Sequence, residues 1–138
     1  VIVVVGLSHK TAPLAVREAL AFPRDRLAEA LERAREEAGL TEAMILSTCN
    51  RVEVYGRAPG PTARHVAEFL ARFHDRRLEE LDSHLYRLEG DAAVRHAFRV
   101  AASLDSMVLG ESQILGQVKE AYEVAEGAGA LGSVLTAL

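Results

Sequence analysis

The chain has 138 residues, 49% of them apolar and 26% charged, with a net charge of −4. That length is one domain, or one domain with an appendage, and the acidic balance argues against a dedicated nucleic-acid scaffold, which phosphate contacts would make basic, while leaving a local basic face open. A single cysteine excludes an internal disulfide framework and a multi-cysteine zinc site and fits a reducing, cytoplasmic setting; no apolar run approaches the ~20 residues of a membrane span, and Val1–Gly6 lacks the basic leader of a secretory signal.

Val1 to Gly6 is short, continuous and β-branched, the pattern of a buried strand. A polar loop from Ser8 to Pro13 follows, and Pro13 suits a helix start because its missing N–H needs no partner there. Leu14 to Leu20 is the expected helix, stopped near Phe22-Pro23. Arg24 to Ala38 is a second, with Leu27, Leu31, Ala34 and Ala38 at helical spacing and Gly39 at the position a left-handed residue takes. Ala43 to Arg57 reads as strand, tight polar connection, strand. Pro59-Gly60-Pro61 breaks the chain. Thr62 to about Arg77 is an amphipathic helix with Val66, Phe69, Leu70 and Phe73 on one face and Arg64, His65, Arg72, His74, Arg76 and Arg77 on the other. His84 to Leu88 supplies a further strand. The order is the β-α-β-β-α-β of split ferredoxin-like sheets.

From Gly90 the pattern turns helical. Asp91 caps a segment to about Ala102 with Val94, Ala97, Phe98 and Ala101 expected inward. Ser103 to Glu111 is a connection, and Ser112 to Ala125 is helical again. The expected architecture is therefore α+β: a ferredoxin-like subdomain over 1–89, then a small helical subdomain over 90–138.

Chemistry concentrates between the paired strands, in Ser47-Thr48-Cys49-Asn50-Arg51, which holds the only cysteine. A thiolate is the nucleophile of cysteine chemistry, and a neighbouring cation or backbone N–H favours it. Arg51 can supply that cation or grip a carboxylate with its planar fork. The alternative is a small buried hydrophobe, the commoner fate of a lone cysteine. His96 follows Arg95 on a predicted helix and is either a base for Cys49 or a satisfied core residue. The five histidines and one cysteine form no convincing metal-ligand spacing, so no metal is expected. No G-x-G-x-x-G or P-loop occurs.

Three blocks then carry a resemblance: Gly6-Leu7-Ser8-His9-Lys10-Thr11-Ala12-Pro13, Leu46-Ser47-Thr48-Cys49-Asn50-Arg51-Val52-Glu53, and His96 through Leu104-Asp105-Ser106-Met107-Val108-Leu109-Gly110-Glu111-Ser112-Gln113-Ile114-Leu115-Gly116-Gln117-Val118. Over essentially its whole length the chain resembles the N-terminal catalytic domain of the glutamyl-tRNA reductase family, enzymes of tetrapyrrole synthesis. Ser103 stands where the family commonly has glycine. The resemblance implies that Cys49 attacks the ester of glutamyl-tRNA to form a thioester, which NADPH reduces to glutamate-1-semialdehyde. It implies substrate contacts from Thr48, Asn50, Arg51, Ser106, Glu111, Ser112, Gln113 and Gln117, and a part in activity for His96. It implies that NADPH-binding and dimerisation domains follow Leu138 in a homodimer, that an aminomutase takes the aldehyde, and that this chain alone acts only as an esterase. The competing reading is a non-catalytic tRNA-binding module with a structural cysteine.

Overall fold

The computed structural model describes residues 1–102 and 123–125. Its centre is a four-stranded antiparallel sheet in the order β2-β3-β1-β4, from strands β1 (Ile2–Ser8), β2 (Glu42–Ser47), β3 (Arg51–Arg57) and β4 (Tyr86–Glu89). This is the sheet expected of the split pattern. Helices α1 (Leu14–Leu20) and α2 (Leu27–Ala38) connect β1 to β2; α3 (Ala63–Phe73) and a single turn, α4 (Leu78–Leu81), connect β3 to β4. Helix α5 (Asp91–Ala101) follows β4 and packs on β1 and β4.

β1 is apolar without alternation because it is a central strand covered on both faces. Side chains alternate along a strand: Val3, Val5 and Leu7 enter the larger core, while Val4 joins the second core with Leu46, Tyr55, Ala93 and Val100. In α3, Val66, Phe69, Leu70 and Phe73 are all buried in the larger core, as their spacing requires. Gly39 ends α2 in the left-handed region, φ 67°. Phe22 stacks on Phe69, at 6.3 Å, and packs at a tilt on Phe73, at 5.0 Å, and its N–H donates to Ser47 Oγ at 3.0 Å, tying that core to the end of β2.

The structure corrects four details of the sequence reading. β1 runs on to Ser8, because Ser8 still pairs with Arg51. The helix expected from Arg24 starts at Leu27, after a 3-10 turn at Arg24–Arg26. α3 stops at Phe73, short of the end expected near Arg77, and Asp75 turns the chain at φ 52° before α4. α5 is rotated: Ala93, His96 and Val100 face the sheet, whereas Phe98, expected inward, is 59% exposed. The buried stripe runs through His96, a residue that an apolar count passes over.

Gly6 lies between Glu53 of β3 and Tyr86 of β4 in the pairing register. A Cβ there would stand 2.2 Å from the Val52 carbonyl oxygen and 2.8 Å from Glu53 Cα. Gly6→Ala is therefore expected to destabilise the fold by about 3 kcal/mol, the upper range for overpacking. Gly60→Ala, which meets nothing within 4 Å, should change stability by less than about 0.5 kcal/mol. Urea unfolding of the two variants checks the contrast.

Candidate active site

The β2–β3 connection is a four-residue turn, Thr48 to Arg51, closed by the Thr48 N–H donating to the Arg51 carbonyl at 2.8 Å. Thr48 Oγ1 accepts the N–H groups of Asn50 and Arg51, both at 3.1 Å, which stiffens the turn and still leaves the hydroxyl a proton to donate. Cys49 stands at the tip with its thiol exposed. Two contacts hold the tip from the β1–α1 segment. Arg17 Nη1 donates to the Cys49 carbonyl at 2.8 Å, and the His9 N–H donates to the Asn50 carbonyl at 2.8 Å. An exposed thiol on a fixed turn differs from the small buried hydrophobe that was the alternative.

Below the turn, β3 directs Arg51, Glu53 and Tyr55 to the face covered by α5, while Val52 and Val54 enter the larger core. Glu53 is fully buried, at 0% exposure, and Arg51 shows 1%. The Glu53 carboxylate accepts the Tyr55 hydroxyl at 2.8 Å, the Tyr86 hydroxyl at 2.6 Å and His96 Nε2, and Arg51 Nη1 lies 3.5 Å from it. The Tyr86 ring packs on the His96 ring with centroids 5.1 Å apart. Burial pushes the Glu53 carboxyl up, but the hydrogen bond and charge of His96, the charge of Arg51 and the Tyr86 hydroxyl together hold it below the usual carboxylate range. Burial and then the Glu53 charge push the Tyr55 phenol well above its ordinary value.

The arrangement links residues that the sequence leaves apart. His96 bonds Glu53, Glu53 pairs with Arg51, and Arg51 ends the turn that carries Cys49. Thr48, Cys49, Asn50 and Arg51 share that turn. Ser106, Glu111, Ser112, Gln113 and Gln117 lie outside the described residues. Sequence reasoning missed Glu53, Tyr86 and Arg17 as parts of the site. The signal available for Glu53 was Gly6, whose absent side chain leaves room beside it.

A family model described as glutamyl-tRNAGlu reductase, N-terminal domain, matches residues 5–138. The chain belongs to the glutamyl-tRNA reductase family, as its N-terminal domain. It is 52% identical over 130 residues to the glutamyl-tRNA reductase of Aromatoleum aromaticum, covering 94% of this chain and 31% of that one. It is 50% identical over 139 residues to that of Moorella thermoacetica, covering 99% and 32%. The solved glutamyl-tRNA reductase of Methanopyrus kandleri superposes with a TM-score of 0.73 at 38% identity, over 97% of this chain and 30% of that one. The chain thus spans about a third of the length of the relatives it matches.

A nicotinamide dinucleotide site needs a strand, a glycine-rich turn and a helix beside a parallel sheet. Among the described residues the sheet is antiparallel throughout, and the β1–α1 connection, Ser8 to Pro13, holds no glycine. These residues do not fit NADPH, and hydride transfer is assigned to none of them.

Glu53 also sets an expectation for pH. Because its folded value is lowered, its contribution is complete above the unfolded carboxylate value of about 4.3 and is lost as pH falls through the folded value. Glu53→Gln should cost on the order of 3 kcal/mol at neutral pH, by leaving buried Arg51 short of a counter-charge. It should also flatten the acid limb of the stability curve below about pH 4.3. His74, lowered mainly by burial, loses stability from about pH 6.5 downward and should do so equally in both proteins. Unfolding free energies from pH 3 to 8 check both limbs.

Proposed function

We propose that this domain performs the acyl-transfer half of glutamyl-tRNA reduction. The Cys49 thiolate attacks the ester carbonyl of glutamyl-tRNA; a C–S bond forms as the C–O bond to the terminal ribose breaks. The ribose oxygen leaves with the electron pair and takes up a proton, and the glutamyl group stays on the protein as a thioester. The observation that carries this reading is the exposed thiol at the tip of a turn whose backbone is held by Thr48, Arg17 and His9. A nucleophile fixed before substrate arrives removes an orientational cost from the barrier.

The proposed glutamate pocket takes Arg51 as the partner of the substrate's side-chain carboxylate, to which its planar fork is suited, although its guanidinium is buried beside Glu53 in this structure, with Thr48 and Asn50 beside it. Ser106, Glu111, Ser112, Gln113 and Gln117 complete the proposed glutamate pocket. His96 enters through Glu53: its Nε2 proton is committed to the carboxylate. Reduction of the thioester by NADPH, a homodimer and delivery of the aldehyde to an aminomutase belong to the same proposal at the level of a longer enzyme, in the cytoplasm. Among the described residues, no helix is long and apolar enough to cross a membrane. The reading as a tRNA-binding module rests on the basic face of α3. That face is weakened by nearby acids, since Arg72 pairs with Glu37 of α2 at 3.2 Å and Arg64 with Glu68 of α3 itself at 3.9 Å.

A hydroxyl is a far weaker nucleophile than a thiolate at neutral pH. Cys49→Ser should therefore abolish transfer of labelled glutamate from tRNA to the protein and leave the circular dichroism spectrum unchanged. The 138-residue chain itself should release free glutamate slowly from charged tRNA, at a rate that NADPH does not alter. Acylation of the serine variant at the normal rate would refute the assignment.

Arg51→Lys keeps a charge but loses the fork. It should reduce acylation strongly with the glutamyl ester and less with an ester lacking the side-chain carboxylate. Equal losses with both esters would assign Arg51 to the turn rather than to the substrate.

A further inference from the structure

Arg17 occupies the last turn of α1 and is outside every role given above for substrate binding or chemistry. Its guanidinium spans two carbonyls: Nη1 donates to Cys49 O at 2.8 Å and Nε to Ala12 O at 3.3 Å. Ala12 is itself anchored, its N–H donating to the Ser8 carbonyl at 2.9 Å where β1 ends. The force on the turn is therefore referred back to the central strand of the sheet.

The contact falls on a particular peptide unit. The plane joining Cys49 to Asn50 has its N–H held by Thr48 Oγ1 at 3.1 Å and its C=O held by Arg17. The next plane has its N–H on Thr48 Oγ1 at 3.1 Å and its C=O on the His9 N–H at 2.8 Å. The first of these planes begins at the Cys49 Cα, so holding its carbonyl restrains the backbone torsion that follows Cys49 and, through it, the direction in which the Cys49 side chain leaves the turn. Two of the four restraints come from Thr48 within the turn and one from the backbone N–H of His9, just past the end of β1. The fourth is a side chain from another element.

The geometry points to Arg17 as a positioning residue for acyl transfer, acting through the Cys49 carbonyl to aim the thiol at the ester carbon. This rests on the acyl-transfer reading above. Without the guanidinium, the Cys49 carbonyl turns to water and the plane is held only at its N–H end, so it rocks more widely and the thiol samples directions from which attack fails. Misplacement of a reacting group by about 1 Å lowers rates by roughly 10²-fold. Binding of charged tRNA, which does not depend on the thiol's direction, is left alone.

The test uses Arg17→Met in the intact protein, because methionine keeps most of the aliphatic stem's packing and removes every donor. Single-turnover acylation of Cys49 by glutamyl-tRNA is expected to slow roughly 10- to 100-fold. The Kd for charged tRNA and the melting temperature should change little. Alkylation of Cys49 by iodoacetamide, a small reagent that reaches an exposed thiol from many directions, should also change little. Acylation at the wild-type rate overturns the positioning role, as does a loss confined to Kd, which would make Arg17 a substrate contact. An equal loss in alkylation overturns it too, because the guanidinium would then act on the thiol's ionisation. If the wild-type protein itself forms no glutamyl adduct, the acyl-transfer reading fails and the positioning role falls with it. That outcome is told apart by the wild-type control alone.

Discussion

A buried carboxylate is the constraint on which the rest of this structure depends. Taking an ionised group such as Glu53 out of water costs several kcal/mol unless hydrogen bonds and opposite charge replace the lost hydration. Here two phenols, an imidazole and a guanidinium surround it. They come from three elements: Tyr55 and Arg51 from β3, the strand of Glu53 itself, Tyr86 from β4 and His96 from α5. Satisfying one side chain therefore fixes the register of β4 and the rotation of α5 about its own axis. The glycine at position 6 is the steric condition for this, because it leaves the central strand bare where the carboxylate and the Tyr86 ring meet.

The sheet thus has two faces with different duties. One is a conventional hydrophobic core under α2 and α3, and it supplies the rigidity. The other combines a small apolar cluster with the polar network, which reaches the turn at the start of β3. The Thr48–Arg51 turn rises from that same end, so Cys49 and His96 are linked without touching: the imidazole bonds Glu53, and Glu53 reaches Arg51 at the foot of the turn. Rigid support beneath an exposed thiol is what a site needs when its rate depends on orientation.

Much of this was legible in the residues. A continuous β-branched run marked β1, the branched and aromatic residues Ile45, Val52, Val54 and Tyr55 marked the β2–β3 pair, the spacing of Val66, Phe69, Leu70 and Phe73 marked the buried face of α3, and Gly39 marked the end of α2. The polar turn with its cysteine stood out between two apolar runs. What could not be read has a common cause: the inside of this protein is partly polar. An alternation rule sends Glu53 to solvent, and an apolar stripe chosen for α5 selects Phe98 over His96, because neither rule contains the hydrogen bonds that reward burying the polar residue. Arg17 was invisible for a related reason. Its partner is a backbone carbonyl 32 positions away, and no side-chain pattern records such a contact.

The most direct measurement of the central claim is the protonation pattern of the His96 ring, read by nitrogen-15 and proton NMR on the folded protein at neutral pH. An ionised Glu53 can only accept, so the ring nitrogen facing it must donate. The expected spectrum shows a proton on Nε2, slow to exchange with water because the residue is only 4% exposed, and that protection is lost when Glu53 is replaced by glutamine. A neutral ring carrying its proton on Nδ1, with Nε2 bare, would contradict the account.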